Sequence, residues 1–214
     1  MSSTASSISL THDAAAAAAR PRAGWRWLAE NLLPAAVWGL MVYLQVGRYS
    51  FPPALPNLLS VLINTLLIGL FLFRRHARAS APLREMTVAL SGTFIVSFIP
   101  EARHASVVST AVQVVGLVLW LAAVAGLGRS IGIAPADRGL KMGGPYALVR
   151  HPIYASEFVF YLGLLLAVAN LMALAVFVVW WALQVCRMLL EERAIEGYGD
   201  YMKRVRWRVL PGVW

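Results

Sequence analysis

Residues 152–169 read PIYASEFVFYLGLLLAVA, Asn170 follows, and residues 171–190 read LMALAVFVVWWALQVCRMLL. Each run approaches the ~20 apolar residues that a bilayer-spanning helix requires, and a single polar residue separates them. Pro152 suits the first position of a helix, where a missing N–H costs nothing, and Asn170 marks the turn. The expected element is a tight helical hairpin. Its open ends carry the densest chemistry in the chain: Arg150-His151-Pro152-Ile153-Tyr154-Ala155-Ser156-Glu157 on one arm and Glu191-Glu192 on the other. Closing the hairpin should bring the two clusters together.

Four further apolar stretches precede it: residues 32–46 (extended toward Trp27), 55–73, 86–99 and 105–127. They are punctuated by Pro52-Pro53 with Pro56, by Arg74-Arg75-His76 and by Pro100-Glu101. The composition agrees. The 214 residues are 59% hydrophobic and only 14% charged, where a soluble domain carries about 25% charged residues. Disorder, collagen and a polar nucleic-acid-binding domain are excluded. The formal charge of +9 then points to lipid head groups rather than nucleic acid as the anionic partner. A single cysteine, Cys186, rules out an intrachain disulfide and a cysteine metal cluster. His12, His76 and His104 are scattered, so no metal site is expected. The expected fold is an all-α polytopic integral membrane protein. It has about five to six transmembrane helices, ending in the hairpin and a cytoplasmic C-terminal helix. Residues 1–24, rich in Ser, Thr and Ala, read as a disordered cytoplasmic N-terminus rather than a signal peptide. Residues 25–127 read as N-terminal transmembrane helices and residues 128–214 as the functional core. The absence of an internal repeat weakens a transporter reading.

Orientation follows from the basic residues. With the N-terminus inside, 17 of the 19 Lys and Arg residues fall on inner segments, and only Arg48 and Arg103 fall outside. Both termini are then cytoplasmic, in a membrane expected to be the bacterial inner membrane. The polar stretches 128–151 and 191–214 share that side.

Ionisable residues beside a span are functional candidates. His151 is the expected N-cap before Pro152. The helix N-terminus with Arg150 would offer free N–H groups and partial positive charge to a carboxylate or a phosphate. Tyr154 and Phe158 share the face of His151. Glu157 lies one step round, inside an apolar helix, and requires a partner, for which an arginine of the same chain would serve. The loop Gly143-Gly144-Pro145-Tyr146 can bring backbone close to a ligand. Glu191 and Glu192 oppose the dipole at a helix C-terminus. Blander readings exist for each. Arg150 and His151 could snorkel to phosphates, Tyr154 could be an interfacial aromatic, and Glu191-Glu192-Arg193 could be a solvated helix end. Trp120, Phe158, Phe177, Trp180 and Trp181 read as packing or lipid contacts.

The pattern Gly144-Pro145-Tyr146-x-x-Val149-Arg150-His151-Pro152-x-Tyr154 is followed by the hairpin and Glu191-Glu192. The tail then runs Tyr198-x-x-Tyr201-x-x-Arg204-Val205 to Leu210-Pro211. Together these resemble the isoprenylcysteine carboxyl methyltransferase family, whose superfamily includes bacterial phospholipid N-methyltransferases. The resemblance covers roughly residues 115–214. It implies a cytoplasm-facing pocket for S-adenosylmethionine, with S-adenosylhomocysteine as product. The candidate cofactor residues are Gly144, Tyr146, Val149, Arg150, His151, Pro152, Tyr154, Glu157, Glu191, Glu192 and Tyr201. Arg204 and Glu192 are the catalytic candidates, Arg204 matching an arginine beside the substrate carboxylate and transferred methyl. The helix N-terminus with Arg150 and His151 would suit the cofactor carboxylate, Glu191 or Glu192 its ammonium or ribose hydroxyls, and Tyr146 or Tyr154 its adenine or sulfonium. The acceptor would be lipophilic or amphipathic, bearing a carboxylate, thiol or amine, and reached from the bilayer. With His151 and the glutamates assigned to the cofactor, no base is left over, which favours an acceptor already anionic or of low pKa. Two other readings stand beside it: an NADPH-dependent membrane reductase of the sterol-reductase type, and a non-enzymatic membrane adaptor.

Overall fold

The computed structural model describes residues 31–48, 55–74, 82–99, 106–133 and 137–214. The expected disordered N-terminus, the extension toward Trp27, the Pro52-Pro53 and Pro100-Glu101 breaks, and His12, His76 and His104 lie outside these residues. The described residues form α1 (Leu33–Arg48), α2 (Leu55–Phe73), α3 (Leu83–Phe94), α4 (Val107–Leu127), α5 (Pro152–Val168), α6 (Leu171–Ala194) and α7 (Tyr198–Arg204). α3 tightens into a 3-10 segment, Ile95–Phe98, and single 3-10 turns sit at Gly128–Ser130 and Gly144–Ala147. No strand forms among them.

Six helices stand where the apolar stretches were read, and two are long and apolar enough to cross a bilayer: Val107–Ser130 and Leu171–Ala194. The 12 residues of α3 reach only about 18 Å at 1.5 Å per residue, short of the ~30 Å hydrocarbon core. The outer faces of the two long helices are apolar, with Val115, Val118 and Leu119 exposed on α4 and Leu174, Val178 and Val179 on α6. Such a surface suits lipid rather than water.

The helices pair as α1 with α2, α2 with α4, α4 with α5, and α3 with α6. The closest approach is α4 on α5, and it depends on two glycines. A Cβ on Gly116 would lie 2.4 Å from the Phe160 backbone nitrogen, and one on Gly163 would lie 2.8 Å from that of Gln113. Small residues are what allow helix backbones to meet in a membrane. Ala35, Ile63, Leu67, Phe71, Leu117, Val124 and Ile131 form the largest buried cluster, where α1, α2 and α4 converge.

The hairpin turn is as short as expected. Ala169 takes a left-handed conformation (φ 47°), its N–H bonded to the Leu165 carbonyl. Asn170 caps α6, its side-chain oxygen accepting from the Ala173 N–H at 2.7 Å. The arms are not backbone-close, however. Aromatic side chains hold them apart: Phe158 meets Trp181 and Phe177 at ring-centroid distances of 4.6 and 5.5 Å, and Tyr161 meets Trp180 at 4.7 Å. α5 therefore packs mainly on α4.

The segment after α7 folds back onto the start of α5. The N–H groups of Arg150 and His151 donate to the carbonyls of Trp207 and Arg208 at 2.9 and 2.8 Å, and the N–H groups of Arg208 and Val209 donate to the Trp214 carbonyl.

Candidate active site

Along the facing sides of α5 and α6, side chains meet in layers. At the outer end, His151 Nε2 stands 3.2 Å from Glu192 Oε1. One turn deeper, the Tyr154 hydroxyl donates to Glu191 Oε1. In the third layer, Gln184 Nε2 donates to Glu157 Oε2 at 2.8 Å, and Arg187 Nη1 donates to Gln184 Oε1 at 2.9 Å. The fourth layer is the aromatic contact of Tyr161 with Trp180. His151 and Tyr161 are about 15 Å apart along the helix axis at 1.5 Å per residue. Over that length the wall changes from charged to aromatic.

A cavity of about 380 Å³ runs along this wall. Its polar part is lined by Tyr146, Arg150, His151, Tyr154, Glu157, Gln184, Arg187, Glu191, Tyr198 and Tyr201; its mainly apolar part is lined by Trp38, Leu67, Phe71, Phe94, Leu117, Trp120 and Phe160, with Asn64 donating to Gln45 at 2.8 Å among them. Among the described residues, the side-chain N–H groups at Arg150 Nε, Arg187 Nε and Trp38 Nε1, all on lining residues, are buried and have no hydrogen-bond partner. A buried donor left unmade costs about 1–3 kcal/mol, so such groups mark where a ligand atom would be welcome. Arg187 is otherwise anchored. Its Nη2 donates to the Ile133 carbonyl at 3.1 Å, and its guanidinium lies 5.3 Å from the centre of the Tyr154 ring.

Three tyrosines from outside the long helices close the polar part. Burial, with Glu191 nearby, holds the Tyr146 phenol well above its usual range. Burial and Glu192 do the same for Tyr198, and burial pushes Tyr201 up to about 12. All three are neutral hydroxyls at physiological pH. Tyr201 donates to the Tyr146 carbonyl at 2.6 Å, tying α7 to the 3-10 turn. The Tyr198 hydroxyl lies 3.1 Å from His151 Nε2.

Of the residues singled out from the sequence, Tyr146, Arg150, His151, Tyr154, Glu157, Glu191 and Tyr201 come together on the cavity wall. Glu192 does not line it. Its Oε1 lies 3.3 Å from Arg150 Nη1 and 3.0 Å from Arg208 Nε, and its Oε2 accepts from Arg208 Nη2 at 3.1 Å. With both oxygens held, Glu192 braces the wall from behind. The same contacts revise the anion site expected at the start of α5. His151 is the N-cap and Pro152 the first helical residue, as read, but the anion facing Arg150 and His151 is Glu192 itself, and their backbone N–H groups go to the tail. Gly144, Val149 and Pro152 also lie outside the lining. Gly144 supplies the positive φ (59°) that opens the turn carrying Tyr146, Val149 is buried, and Pro152 starts α5. Arg204 is exposed at the end of α7 and is not among the lining residues.

Arg187 and Gln184 were not read as site residues; Arg187 entered only the orientation count. The signal existed. Gln184, Arg187 and Glu191 recur at spacings of three and four in an apolar helix, which places them on one face.

Residues 102–200, just under half of the chain, match the family model for phospholipid methyltransferases. The matched stretch includes α4, α5 and α6 and supports a membrane methyltransferase. No curated protein matches the chain.

Proposed function

We propose that this protein is an integral-membrane, S-adenosylmethionine-dependent methyltransferase acting on a lipophilic or amphipathic acceptor. The observation that carries the reading is the pair Arg187 and Glu191. They lie one turn apart on α6, both line the cavity, and Arg187 keeps a buried N–H that has no partner among the described residues. Opposite charges at that spacing are the complement of an α-amino acid group, which carries a carboxylate and an ammonium. Phospholipid methyltransferases generally use S-adenosylmethionine, and the lining suits it. Arg187 would take the carboxylate, Glu191 the ammonium, and Tyr146, Tyr198 and Tyr201 the adenine and ribose. Bound there, the cofactor would supply an electrophilic methyl group on a sulfonium. The protein's own part is positioning and exclusion of water. The apolar arm would receive an acceptor from the bilayer. The motif of residues 144–154 with the tail carries the finer likeness, to the isoprenylcysteine carboxyl methyltransferases.

Calorimetric titration of the detergent-purified protein with S-adenosylhomocysteine, with NADPH in parallel, tests the reading. Saturable binding of S-adenosylhomocysteine alone is expected, weakened about tenfold or more in Arg187→Met, as a lost charge-assisted hydrogen bond implies. Binding of NADPH alone would make the protein a reductase. Binding of neither by a folded sample would leave a membrane adaptor.

A further inference from the structure

The cavity-facing side of α5 changes character once. His151 and Tyr154 face Glu192 and Glu191 in the polar part, and Phe160 and Tyr161 face the apolar part. Glu157 stands between them, about 9 Å along the helix from His151 at 1.5 Å per residue. It lines the cavity, and its Oε2 is fixed by Gln184, which Arg187 orients in turn. Among the described residues, its Oε1 receives no hydrogen bond and no Lys or Arg nitrogen lies within 4 Å of its carboxylate. α3 packs against the same relay: a Cβ on Gly92 would sit 3.1 Å from Gln184 Oε1 and 3.2 Å from Arg187 Cδ. One carboxylate oxygen is thus held by a rigid donor while the other is left for the cavity, at the boundary where a polar cofactor and a lipophilic acceptor would meet.

We propose that Glu157 faces the methyl acceptor and takes the proton that the acceptor loses, so that the acceptor is an amphiphile headed by an N–H or S–H nucleophile rather than by a carboxylate. This rests on the methyltransferase reading above. It also replaces the earlier inference that no base is left over, because Glu157 stands apart from the charged cluster around Glu192. In the balanced step, the acceptor's lone pair forms the bond to the methyl carbon. The carbon–sulfur pair leaves with the thioether. The N–H or S–H proton passes to a Glu157 oxygen, its bonding pair staying on nitrogen or sulfur. A carboxylate-headed acceptor has no such proton to give, and its charge would be opposed by Glu157 at close range in a weakly screened site.

The test uses the full chain in detergent micelles. S-adenosylhomocysteine binding is measured by calorimetry. Transfer from methyl-labelled S-adenosylmethionine is measured to dodecylamine, dodecanethiol and dodecanoic acid, in the wild type, Glu157→Gln and Glu157→Asp. The wild type is expected to methylate the amine or the thiol and not the acid, with kcat rising as pH rises to a plateau. Glu157→Gln is expected to bind S-adenosylhomocysteine within about twofold of wild type, to transfer about 100-fold more slowly or worse, and to lose the rising limb. Glu157→Asp is expected to recover part of the rate. Transfer by Glu157→Gln at the wild-type rate overturns the proposal. So do transfer to dodecanoic acid alone, transfer to none of the three, and a tenfold loss of S-adenosylhomocysteine affinity, which would put Glu157 in the cofactor site. Should Glu157→Gln fail to fold, a wild-type profile flat in pH or a fully inactive, folded Glu157→Asp overturns it. A wild type that binds no S-adenosylhomocysteine removes the methyltransferase reading and this inference with it. One that binds it while any of the other failures holds removes this inference alone.

Discussion

Glu191 and Glu192 are adjacent, yet the 100° turn between neighbours on a helix gives them different work. Glu191 lines the cavity and takes the Tyr154 hydroxyl, while Glu192 is gripped by Arg150, His151 and Arg208. Removing one partner of a buried ionic cluster leaves uncompensated charge, at a cost of about 3–5 kcal/mol. Glu192→Gln should therefore lower the melting temperature by several degrees or more. Glu191→Gln should leave the melting temperature nearly unchanged while weakening S-adenosylhomocysteine binding about tenfold, or ~1.4 kcal/mol. Thermal melts and calorimetry on both variants check this, and equal effects on both readouts would remove the division of labour. Arg204→Ala, exposed at the end of α7, should leave S-adenosylhomocysteine affinity within about twofold. The sequence could place the glutamate pair at the hairpin's open end but could not choose between its members. That choice depends on which side of α6 faces Arg208, a residue 16 positions further on in a segment with no periodic pattern to read.

The helices themselves were legible because each is a bounded apolar run, and their positions in the structure follow those runs closely. Their partners were not. A run with apolar residues on every side has no preferred face, so nothing in residues 152–169 announced that α5 would pack on α4 more closely than on α6. What decides it is small: hydrogen atoms at Gly116 and Gly163, against large aromatics on the α6 side of α5. Adding a methyl group at either glycine places a carbon under 3 Å from backbone atoms of the opposite helix, and backbone cannot rotate away as a side chain can. Gly163→Ala and Gly116→Ala should each lower the melting temperature with helical circular dichroism retained. Because α5 carries Tyr154 and Glu157 and begins directly after Arg150 and His151, each should also weaken S-adenosylhomocysteine binding at temperatures where the protein is still folded. A control at Gly69, where an added Cβ meets nothing within 4 Å, should do neither. Loss of affinity at Gly69→Ala equal to that at Gly163→Ala would mean that the α4–α5 contact does not set the site.

At the scale of the molecule, the charged lining lies toward one end of the helices: the loop before α5, the start of α5 and the end of α6. That end coincides with the basic segments, and the hairpin turn at Asn170 lies at the other. A cofactor that is polar and water-borne has to enter from the polar end, so the distribution of charge and the placement of the cavity make the same demand on orientation. The bias of 17 basic residues to two predicts that this end is cytoplasmic. Single cysteines read it directly. In a Cys186→Ala background, Gly199→Cys on α7 and Leu171→Cys beside the turn both sit at exposed positions. After expression in bacterial cells, a membrane-impermeant maleimide should label Gly199→Cys in inside-out vesicles and not in spheroplasts, and Leu171→Cys in spheroplasts and not in inside-out vesicles. The reverse pattern would put the cavity mouth on the outer face, where cytoplasmic S-adenosylmethionine could not reach it. Labelling of both positions from the same side would mean that α6 does not cross the bilayer.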